Sequence, residues 1–550
     1  MANLAQLIDD FLANEWDISP LRASSFGLTD YDERLDDMSA KAFRRRDEDA
    51  ADWLHRFEAV PDEGLDEAAR IDRDLAISAL RGRVIAADWQ VWRRDPLVYS
   101  GPIMDGLFTL FLHRLRPERD LVDAAVARLE QVPRALEQGL ANLDPGLAAR
   151  VLVERGLGSA RGAARYLREL LPGEASAPAD RQRLAAAGEA AAVAFERWAG
   201  HLERLVEEAS GEWVFGEERY SRMLRERESL DHDTRSLREL GRREYERLDR
   251  EMQQVAREAA GSSDWRAVLE RANEDHPPTE EAMRRTYAEW TERARDFLRR
   301  EELLTLPDGE SCSVDPSPVY MRPVLGVAFY IAPPAFSDSM AGHYFVPYAP
   351  DGAPPEEIQK RLASNSYGSI PSTSVHEAYP GHHWHLAWSK VKAAPIRQVL
   401  GTPYFVEGWA LYAERVMRER GFFTEPMQVL YHLEASIFRA ARIVVDTSLH
   451  IGEMTYEEAV QFMMRNAAMP EPTARAEVSR YCAWPTQAAS YLTGCLEILD
   501  IRRRYLDARG LAGQAPEAVD VAVLRDFHDR LGGSGRLPLG LAERAVASGD

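Results

Sequence analysis

The sequence predicts a mainly α-helical protein that carries one small β-sheet. Two observations predict this fold class. Apolar residues recur at helical spacing along most of the 550-residue chain, with charged residues between them. One stretch, from about 311 to 350, is instead rich in the β-branched and aromatic residues that favour strands. We therefore expect a helical N-terminal lobe at residues 1–210 and a second region at 211–550 that contains the sheet.

The composition of the chain argues against several classes of protein. Its formal net charge of −22 disfavours nucleic-acid binding, which needs a basic surface, and suits a protein kept in solution by like charge. The first twenty residues carry four acidic side chains and no basic start, so we expect no signal peptide. No stretch approaches the roughly 18 apolar residues of a membrane span. The three cysteines, at 312, 482 and 495, lack metal-type spacing and suit a reducing compartment, which predicts a cytoplasmic protein.

The N-terminal lobe is predicted to consist of helices separated by glycine and proline. Residues 9–89 have the pattern of helices joined by acidic loops, most clearly at 65–89. Breaks of Asp144-Pro145-Gly146 and Pro172-Gly173 separate three further helices, at 121–143, 148–171 and 179–209. Glycine and aromatic residues at 210–216 interrupt two long helical stretches and give the best candidate for a boundary.

The second region is predicted to start with two highly charged helices, at 217–260 and 279–304, whose Arg and Glu runs form solvated faces. The strand pattern follows at 311–314, 319–331 and 343–348. After Pro354-Pro355 the helical pattern returns at 375–389, 403–420, 428–450, 456–466, 474–481 and 485–506.

A histidine cluster at the start of this last helical series carries the strongest functional signal. Four of the thirteen histidines lie between His376 and His385, and Glu377 directly follows the first. Neutral imidazoles bind zinc, and a carboxylate beside the first ligand can take a proton from a water molecule that the metal activates. The alternative is a helix end without metal, since the partial negative charge there also attracts histidine. The residues downstream favour the metal.

The spacing of this cluster differs from the usual H-E-x-x-H pattern. The residue four positions after His376 is Pro380, so the second ligand must be His382 or His383. Pro380 and Gly381 interrupt the helical hydrogen bonds and allow a bulge. His382 needs two extra residues to be absorbed in that bulge and His383 needs three. We therefore expect His382 to bind the metal and His383 to face substrate or a carboxylate.

The third ligand is predicted about thirty residues after the His-Glu pair. Glu407 has the type and position of the glutamate that completes the site in glutamate-type zinc enzymes. Glu414 lies seven residues later on the same helical face and could orient a ligand histidine. The alternative is a pair of exposed helix acids. The residues between the two are mostly apolar, however, and a buried acid needs a partner such as a metal.

Two further groups of polar residues are candidates for the site. Arg442, Asp446 and His450 recur at a spacing of four, so they share one face of a helix that is otherwise apolar. One alternative is a structural ladder of ion pairs. The other is that they belong to the site, where Asp446 would orient a ligand, His450 would act in catalysis and Arg442 would bind substrate.

The segment 480–491 supplies the second group. Tyr481 and Tyr491 are candidate donors to the oxyanion that forms when water adds to a carbonyl group. Arg480 is a candidate for binding a substrate carboxylate, and Gln487 is a further candidate for binding substrate. The alternative is that both tyrosines are core residues, each with a satisfied hydroxyl group.

Taken together, these segments resemble the bacterial domain-of-unknown-function 885 (DUF885) family, which is similar to HE-clan, gluzincin-like zinc metallopeptidases. The resemblance covers most of the chain, most densely from about residue 316, and rests on segments 376–383, 407–414, 442–450, 480–491 and 527–528. It implies a zincin-like helical fold with the small sheet beside the metal helix, a cleft that holds one zinc ion, and peptidase-type chemistry. Thr486 stands where the family has glycine, and His385 where it has glutamine.

The expected function is zinc-dependent hydrolysis of short peptides, or removal of C-terminal residues, with Glu377 as general base. One alternative is an amidase or esterase that acts on a non-peptide metabolite. Another is a helical binding protein that retains a vestigial site. The edge strand beside the metal helix would either pair with the substrate backbone or only support the helix.

Overall fold

The structure is a computed structural model that describes residues 4–319, 321–322, 326–350 and 352–549. These residues form 23 α-helices and one sheet of three strands. The predicted mainly α-helical class with a small sheet is therefore confirmed.

The N-terminal helices follow the predicted pattern closely. They are α1 (Leu4–Ile18), α2 (Pro20–Ser25), α3 (Ala40–Glu58), α4 (Glu67–Ala87), α5 (Leu97–His113), α6 (Glu118–Asn142), α7 (Arg150–Glu169) and α8 (Pro178–Glu208). The predicted helices at 65–89, 121–143, 148–171 and 179–209 correspond to α4, α6, α7 and α8. Pro178 occupies the first turn of α8, where its missing N–H leaves no hydrogen bond unmade. The pattern missed α5 because that helix is apolar almost all round, which removes the helical alternation.

The charged central helices are α9 (Glu217–Arg222), α10 (Thr234–Ala260), α11 (Trp265–Ala272) and α12 (Glu280–Glu301). The prediction of one helix over 217–260 is wrong, because α9 passes into a π-helical turn at Met223–Arg227 and the chain then leaves the helix. A new helix starts where Asp233 and Ser236 form a capping box, each side chain accepting the other residue's backbone N–H.

The sheet contains β1 (Ser311–Pro316), β2 (Phe329–Ile331) and β3 (Ala341–Val346) in the order β1-β3-β2. β1 runs parallel to β3, with Ser311 opposite Ala341, and β2 runs antiparallel to β3, with Tyr330 opposite Tyr344. Among the described residues of the predicted strand at 319–331, only the last three form a strand; residues 320 and 323–325 lie outside the described residues.

The remaining helices are α13 (Pro355–Ala363), α14 (Ile370–Glu377), α15 (His382–Lys392), α16 (Pro395–Val399), α17 (Pro403–Glu419), α18 (Pro426–His450), α19 (Tyr456–Asn466), α20 (Glu471–Ala483), α21 (Ser490–Asp507), α22 (Val521–Gly533) and α23 (Leu539–Ser548). The prediction of a single helix at 375–389 is wrong, since residues 378–381 separate α14 from α15. The expected interruption at Pro380 and Gly381 is the cause.

Three hydrophobic cores hold these elements together. The largest joins residues of α1, α3 and α4 to the sheet and to helices from α9 onward. The second lies among α2 and α5–α8, and the third links α7 to α18, α19 and α20. The N-terminal helices thus pack against the region that carries the histidine cluster and share hydrophobic cores with it. The division of the chain at residue 210 stays a prediction.

Candidate metal centre

The break between α14 and α15 places His376 and His382 side by side. The N–H of Gly381 donates to the carbonyl of Val375 at 3.0 Å, and the N–H of Trp384 donates to the carbonyl of Ala378 at 3.2 Å. Each bond spans six residues instead of four, so two extra residues are absorbed. A Cβ atom at Gly381 would lie 1.9 Å from the carbonyl oxygen of His376, so only glycine fits this close backbone approach.

The ligand-type atoms of His376, His382 and Glu407 converge on one point. Glu407 Oε2 lies 3.8 Å from Nε2 of His376 and 3.4 Å from Nε2 of His382, and one such atom from each residue lies within 4.8 Å of the others. Two ligands about 2.0–2.2 Å from a tetrahedral zinc ion are roughly 3.3–3.6 Å apart. The donor set and its spacing therefore fit zinc. The side chains of His382 and Glu407 retain 11% and 18% exposure, so the site opens to solvent.

Glu414, also on α17, holds the ring of His376 from the opposite side. Nδ1 of His376 donates to Glu414 Oε1 at 2.8 Å, which leaves Nε2 free to face Glu407. The other oxygen of Glu414 accepts from the hydroxyl of Ser372 and from Nδ1 of His432, the latter at 3.3 Å. A carboxylate that fixes the tautomer and orientation of a ligand histidine is the usual support of a metal site.

The centre places two carboxylates with lowered pKa values around the ring of His376. Burial lowers the pKa of His376, but Glu407 and Glu414 outweigh it and raise that pKa to about 9. Burial raises the pKa of Glu407 and of Glu414, yet their histidine neighbours outweigh it and both pKa values fall. Without metal, a proton on His376 offsets these carboxylates. A divalent cation would displace that proton and take over the same role.

Glu377 ends α14 next to the first histidine and is 8% exposed. Burial raises the pKa of its carboxyl group, while His376, His382 and Arg439 partly offset the increase. The charges that act on it are thus those of the two histidines and Glu407 of the centre and of Arg439. A raised pKa makes the carboxylate a stronger base for a proton that it accepts and later releases.

His383 and His385 lie apart from the three converging atoms. His383 is fully buried, donates from Nε2 to Glu310 at 2.8 Å, and accepts at Nδ1 from the hydroxyl of Tyr330 on β2 at 2.8 Å. Nε2 of His385 donates to the backbone carbonyl of Gly535 at 3.2 Å, and burial lowers its pKa to about 3. His383 thus faces a carboxylate, one of its two expected environments, and links the metal helices to the sheet.

The predicted residues Arg442, Arg480 and Tyr481 meet at Glu477. Oε2 of Glu477 accepts from Arg442 at 2.7 Å, from Arg480 at 2.9 Å and from the hydroxyl of Tyr481 at 2.6 Å. The hydroxyl of Tyr481 also accepts from Nε of Arg442 at 3.0 Å. Tyr481 is thus already engaged in this cluster.

Tyr491 lies between this arginine cluster and the metal centre. Its ring packs against the guanidinium of Arg442, whose central carbon lies 4.6 Å from the ring centroid. Its hydroxyl accepts from Gln487 at 3.4 Å, and Gln487 in turn accepts from Arg480. Burial and the negative charge of Glu407 raise the pKa of Tyr491, which places that hydroxyl within the electrostatic reach of the centre.

Asp446 and His450 are not brought to the metal centre. Asp446 accepts from the hydroxyl of Tyr220, and burial raises its pKa to about 7. Nε2 of His450 donates to the carbonyl of Tyr481 at 3.0 Å, and burial lowers its pKa to about 4. Asp446 also accepts from the backbone of Thr486, in the loop that joins α20 to α21, and His450 contacts the end of α20.

That loop contains Thr486, whose φ of +72° lies in the left-handed region. A β-branched residue there costs about 1–3 kcal/mol, whereas glycine adopts it freely. Glycine, which the resemblance implies at this position, would therefore relieve strain here. The strain lies one residue before Gln487.

We expect Thr486→Gly to raise the free energy of unfolding by about 1 kcal/mol, because relief of strain exceeds the roughly 0.5–1 kcal/mol entropic cost of glycine. Urea denaturation followed by circular dichroism measures the change. Thr486→Ala is the control, since alanine loses the hydroxyl and a methyl group but keeps most of the strain. Equal stability changes in both variants would show that the backbone is not strained there.

Six residues of this region were not candidates from the sequence: Glu310, Tyr330, Ser372, His432, Arg439 and Glu477. Glu477 precedes Tyr481 by one helical turn, so the i,i+4 spacing could have found it. His432 has a weaker sequence signal, because a single histidine in a largely apolar helix indicates only that its side chain is buried. Glu310 and Tyr330 have no local signal, because tertiary folding alone brings them to His383.

Comparisons with known proteins bear on the fold. A family model described as "Bacterial protein of unknown function (DUF885)" matches residues 20–546. A solved structure described as "a putative lipoprotein of unknown function", from Shewanella oneidensis, is 20% identical, with a TM-score of 0.76 over 99% of each chain. A second "putative lipoprotein", from Colwellia psychrerythraea, is 19% identical, with a TM-score of 0.81 over 99% of this chain and 98% of that chain. No curated protein matches the sequence.

Proposed function

The chain belongs to the DUF885 family of bacterial proteins of unknown function, and we propose that it is a zinc-dependent hydrolase that cleaves an amide bond in short peptides. One observation carries the proposal: the ligand-type atoms of His376, His382 and Glu407 converge at zinc-like spacing beside the carboxyl group of Glu377. The kinship to gluzincin-like peptidases and the zincin-like fold are part of this proposal.

Zinc held by Nε2 of His376, Nε2 of His382 and a carboxylate oxygen of Glu407 would supply a Lewis acid that polarises the carbonyl group and lowers the pKa of water. Three protein ligands leave one position open, as in catalytic zinc sites. Glu414 keeps the proton of His376 on Nδ1, so that Nε2 stays available. Ser372 and His432 hold Glu414 in place.

Glu377 moves the proton in the proposed reaction. Its carboxylate takes a proton from the attacking water as the oxygen bonds to the carbonyl carbon, and then returns a proton to the leaving nitrogen as the C–N bond breaks. The raised pKa of this buried carboxyl group helps both transfers, since a group that holds its proton too weakly cannot protonate the amine. The products are a carboxylic acid and an amine.

Tyr491 is the better candidate to donate a hydrogen bond to the developing oxyanion. The hydroxyl of Tyr481 already donates to Glu477, so its proton is occupied. The hydroxyl of Tyr491 accepts from Gln487 and keeps its own proton to donate. Burial raises the pKa of Tyr491, so the phenol remains protonated at neutral pH.

Other expectations from the sequence stay predictions. They are the cytoplasmic location, the absence of nucleic-acid partners and the short peptide as substrate. No helix in the described part of the chain is long and apolar enough to cross a membrane.

The test is a digest of a mixed peptide library, followed by mass spectrometry, with metal-free, zinc-loaded and chelator-treated protein. We expect about one zinc ion per chain, cleavage by the loaded protein alone, and recovery when zinc is returned after chelation. A zinc-loaded protein that cleaves no peptide contradicts the peptidase function, and a chain that binds no zinc contradicts the centre itself.

A further inference from the structure

A cluster of three arginines beside the metal centre has one carboxylate as an ion-pair partner among the described residues. Arg442 and Arg480 share Glu477, as described above. Arg439, one turn before Arg442 on α18, forms no ion pair within the described residues. Its Nη1 donates to the carbonyl of Ala435 at 3.0 Å, and its buried Nε has no hydrogen-bond partner in the part of the chain that the structure describes.

Arg439 also lies at the border of the metal centre. It follows His432 by about two helical turns on the same face of α18, and His432 bonds to Glu414, which holds the ring of His376. The central carbon of its guanidinium lies 5.7 Å from the ring centroid of Tyr491. Glu434 is another near neighbour, but burial raises its pKa to about 7 and it forms no ion pair with Arg439.

A partly buried arginine with unused donors is costly unless an anion binds to it. The planar guanidinium offers two parallel N–H donors that match a carboxylate. Arg480 can supply a second positive charge to such a site. Its side chain is 22% exposed and donates a hydrogen bond to Gln487, which lies beside Tyr491. The cluster is thus built to receive one negatively charged group from outside.

The position of Arg439 limits which carboxylate it can reach. Successive residues of a peptide are about 3.8 Å apart, so each additional residue after the cleaved bond moves the terminal carboxylate away by about that distance. A cation on the face of α18 that also borders the metal centre through His432 therefore suits the carboxylate of the residue directly after the bond.

We propose that the substrate carries a free α-carboxylate on the residue that follows the cleaved bond, and that Arg439, assisted by Arg480, binds it. This inference rests on the proposed hydrolase function and narrows it to carboxypeptidase, dipeptidase or N-acyl amino acid substrates. The cleaved C–N bond then releases a single free amino acid, whose new amino group takes the proton from Glu377.

Two matched libraries test the proposal with zinc-loaded protein: N-acetylated dipeptides with a free C-terminal carboxylate, and the same dipeptides with a carboxamide. We expect kcat/KM to be about 100-fold or more higher for the acids, since a site built for a charged group rejects the analogue that lacks it. Arg439→Gln should bring the ratio to within about tenfold of one, and Arg439→Lys should restore part of it.

Arg475→Gln is the control. Arg475 lies on α20, the helix of Arg480, but pairs with Glu457 and Glu471 on the surface, so this variant should keep the parent ratio. Circular dichroism checks that each variant is folded. Equal cleavage of acids and amides by the parent protein overturns the inference and leaves the hydrolase function intact.

A second readout does not depend on turnover. Ligand-observed NMR with a mixture of N-acetyl amino acids, and with their amides, reports binding to the zinc-loaded protein. Preferential binding of the acids that is lost in Arg439→Gln supports the carboxylate site even if no dipeptide is cleaved, in which case the hydrolase function fails alone. Absence of binding, or equal binding of acids and amides, overturns the inference.

Discussion

Glu377→Gln is expected to retain zinc at the parent level and to lose about a hundred- to ten-thousand-fold of the hydrolytic rate. The amide is nearly isosteric with the carboxyl group but cannot accept the proton of the attacking water. The three ligands are untouched by the change. Discontinuous assays with a peptide that the parent protein cleaves give kcat. Inductively coupled plasma mass spectrometry gives the zinc content of the same preparation.

Glu419→Gln provides the matched control for this change. Glu419 lies on α17, the helix of Glu407, and forms ion pairs with Arg415 and Arg502, at 3.1 and 2.8 Å. The same substitution there should leave both zinc content and kcat close to the parent values. A Glu377→Gln protein that turns over at the parent rate would exclude Glu377 as the base.

His382→Ala and His383→Ala should differ strongly in zinc affinity. His382 directs Nε2 at Glu407, so its loss should weaken binding by more than the 10- to 100-fold typical of residues that merely support a ligand. His383 instead bonds to Glu310 and Tyr330, so its removal should reduce stability and leave zinc affinity within about tenfold. Competition with a chromogenic chelator measures both affinities.

Glu407→Gln extends the comparison to the third ligand. It should weaken zinc binding as strongly as His382→Ala, because an amide is a poor ligand for zinc. Unchanged affinity in this variant would assign the third ligand to Glu414 instead. A large loss in the His383 variant alone would overturn the choice of His382.

The helices were predictable where one face is apolar and the other charged. α6, α7 and α8 differ from their predicted spans by a few residues at most. In the charged stretch at 217–260, periodicity does not locate the helix ends. Helical propensity continues through it, whereas the capping box at Asp233 and Ser236 starts a new helix. A local capping signal of this kind carries more information on helix ends than periodicity does.

The candidate site was predictable to the extent that its residues lie close in sequence or at helical spacing. Pro380 and Gly381 indicated a break, and a count of the residues to be absorbed favoured His382, the histidine that the fold places beside Glu407. The spacing of seven between Glu407 and Glu414 placed both on one face of α17, where they flank the ring of His376.

The rest depends on tertiary contacts that leave no local pattern. Glu310 reaches His383 across 73 positions of sequence. Arg439 lies among apolar residues of α18, where periodicity alone does not distinguish it from other arginines. That it forms no ion pair among the described residues is visible only when Glu477 is seen to bind Arg442 and Arg480. Asp446 and His450 share one face of α18 with Arg442, yet they contact Thr486 and the end of α20 and not the metal centre.

The most direct test of the metal centre is a crystal structure of the zinc-loaded chain with anomalous data collected on both sides of the zinc absorption edge. We expect one strong peak per chain, about 2.0–2.2 Å from Nε2 of His376, Nε2 of His382 and a carboxylate oxygen of Glu407. A peak bound by His383, or no peak among these residues at saturating zinc, would contradict it.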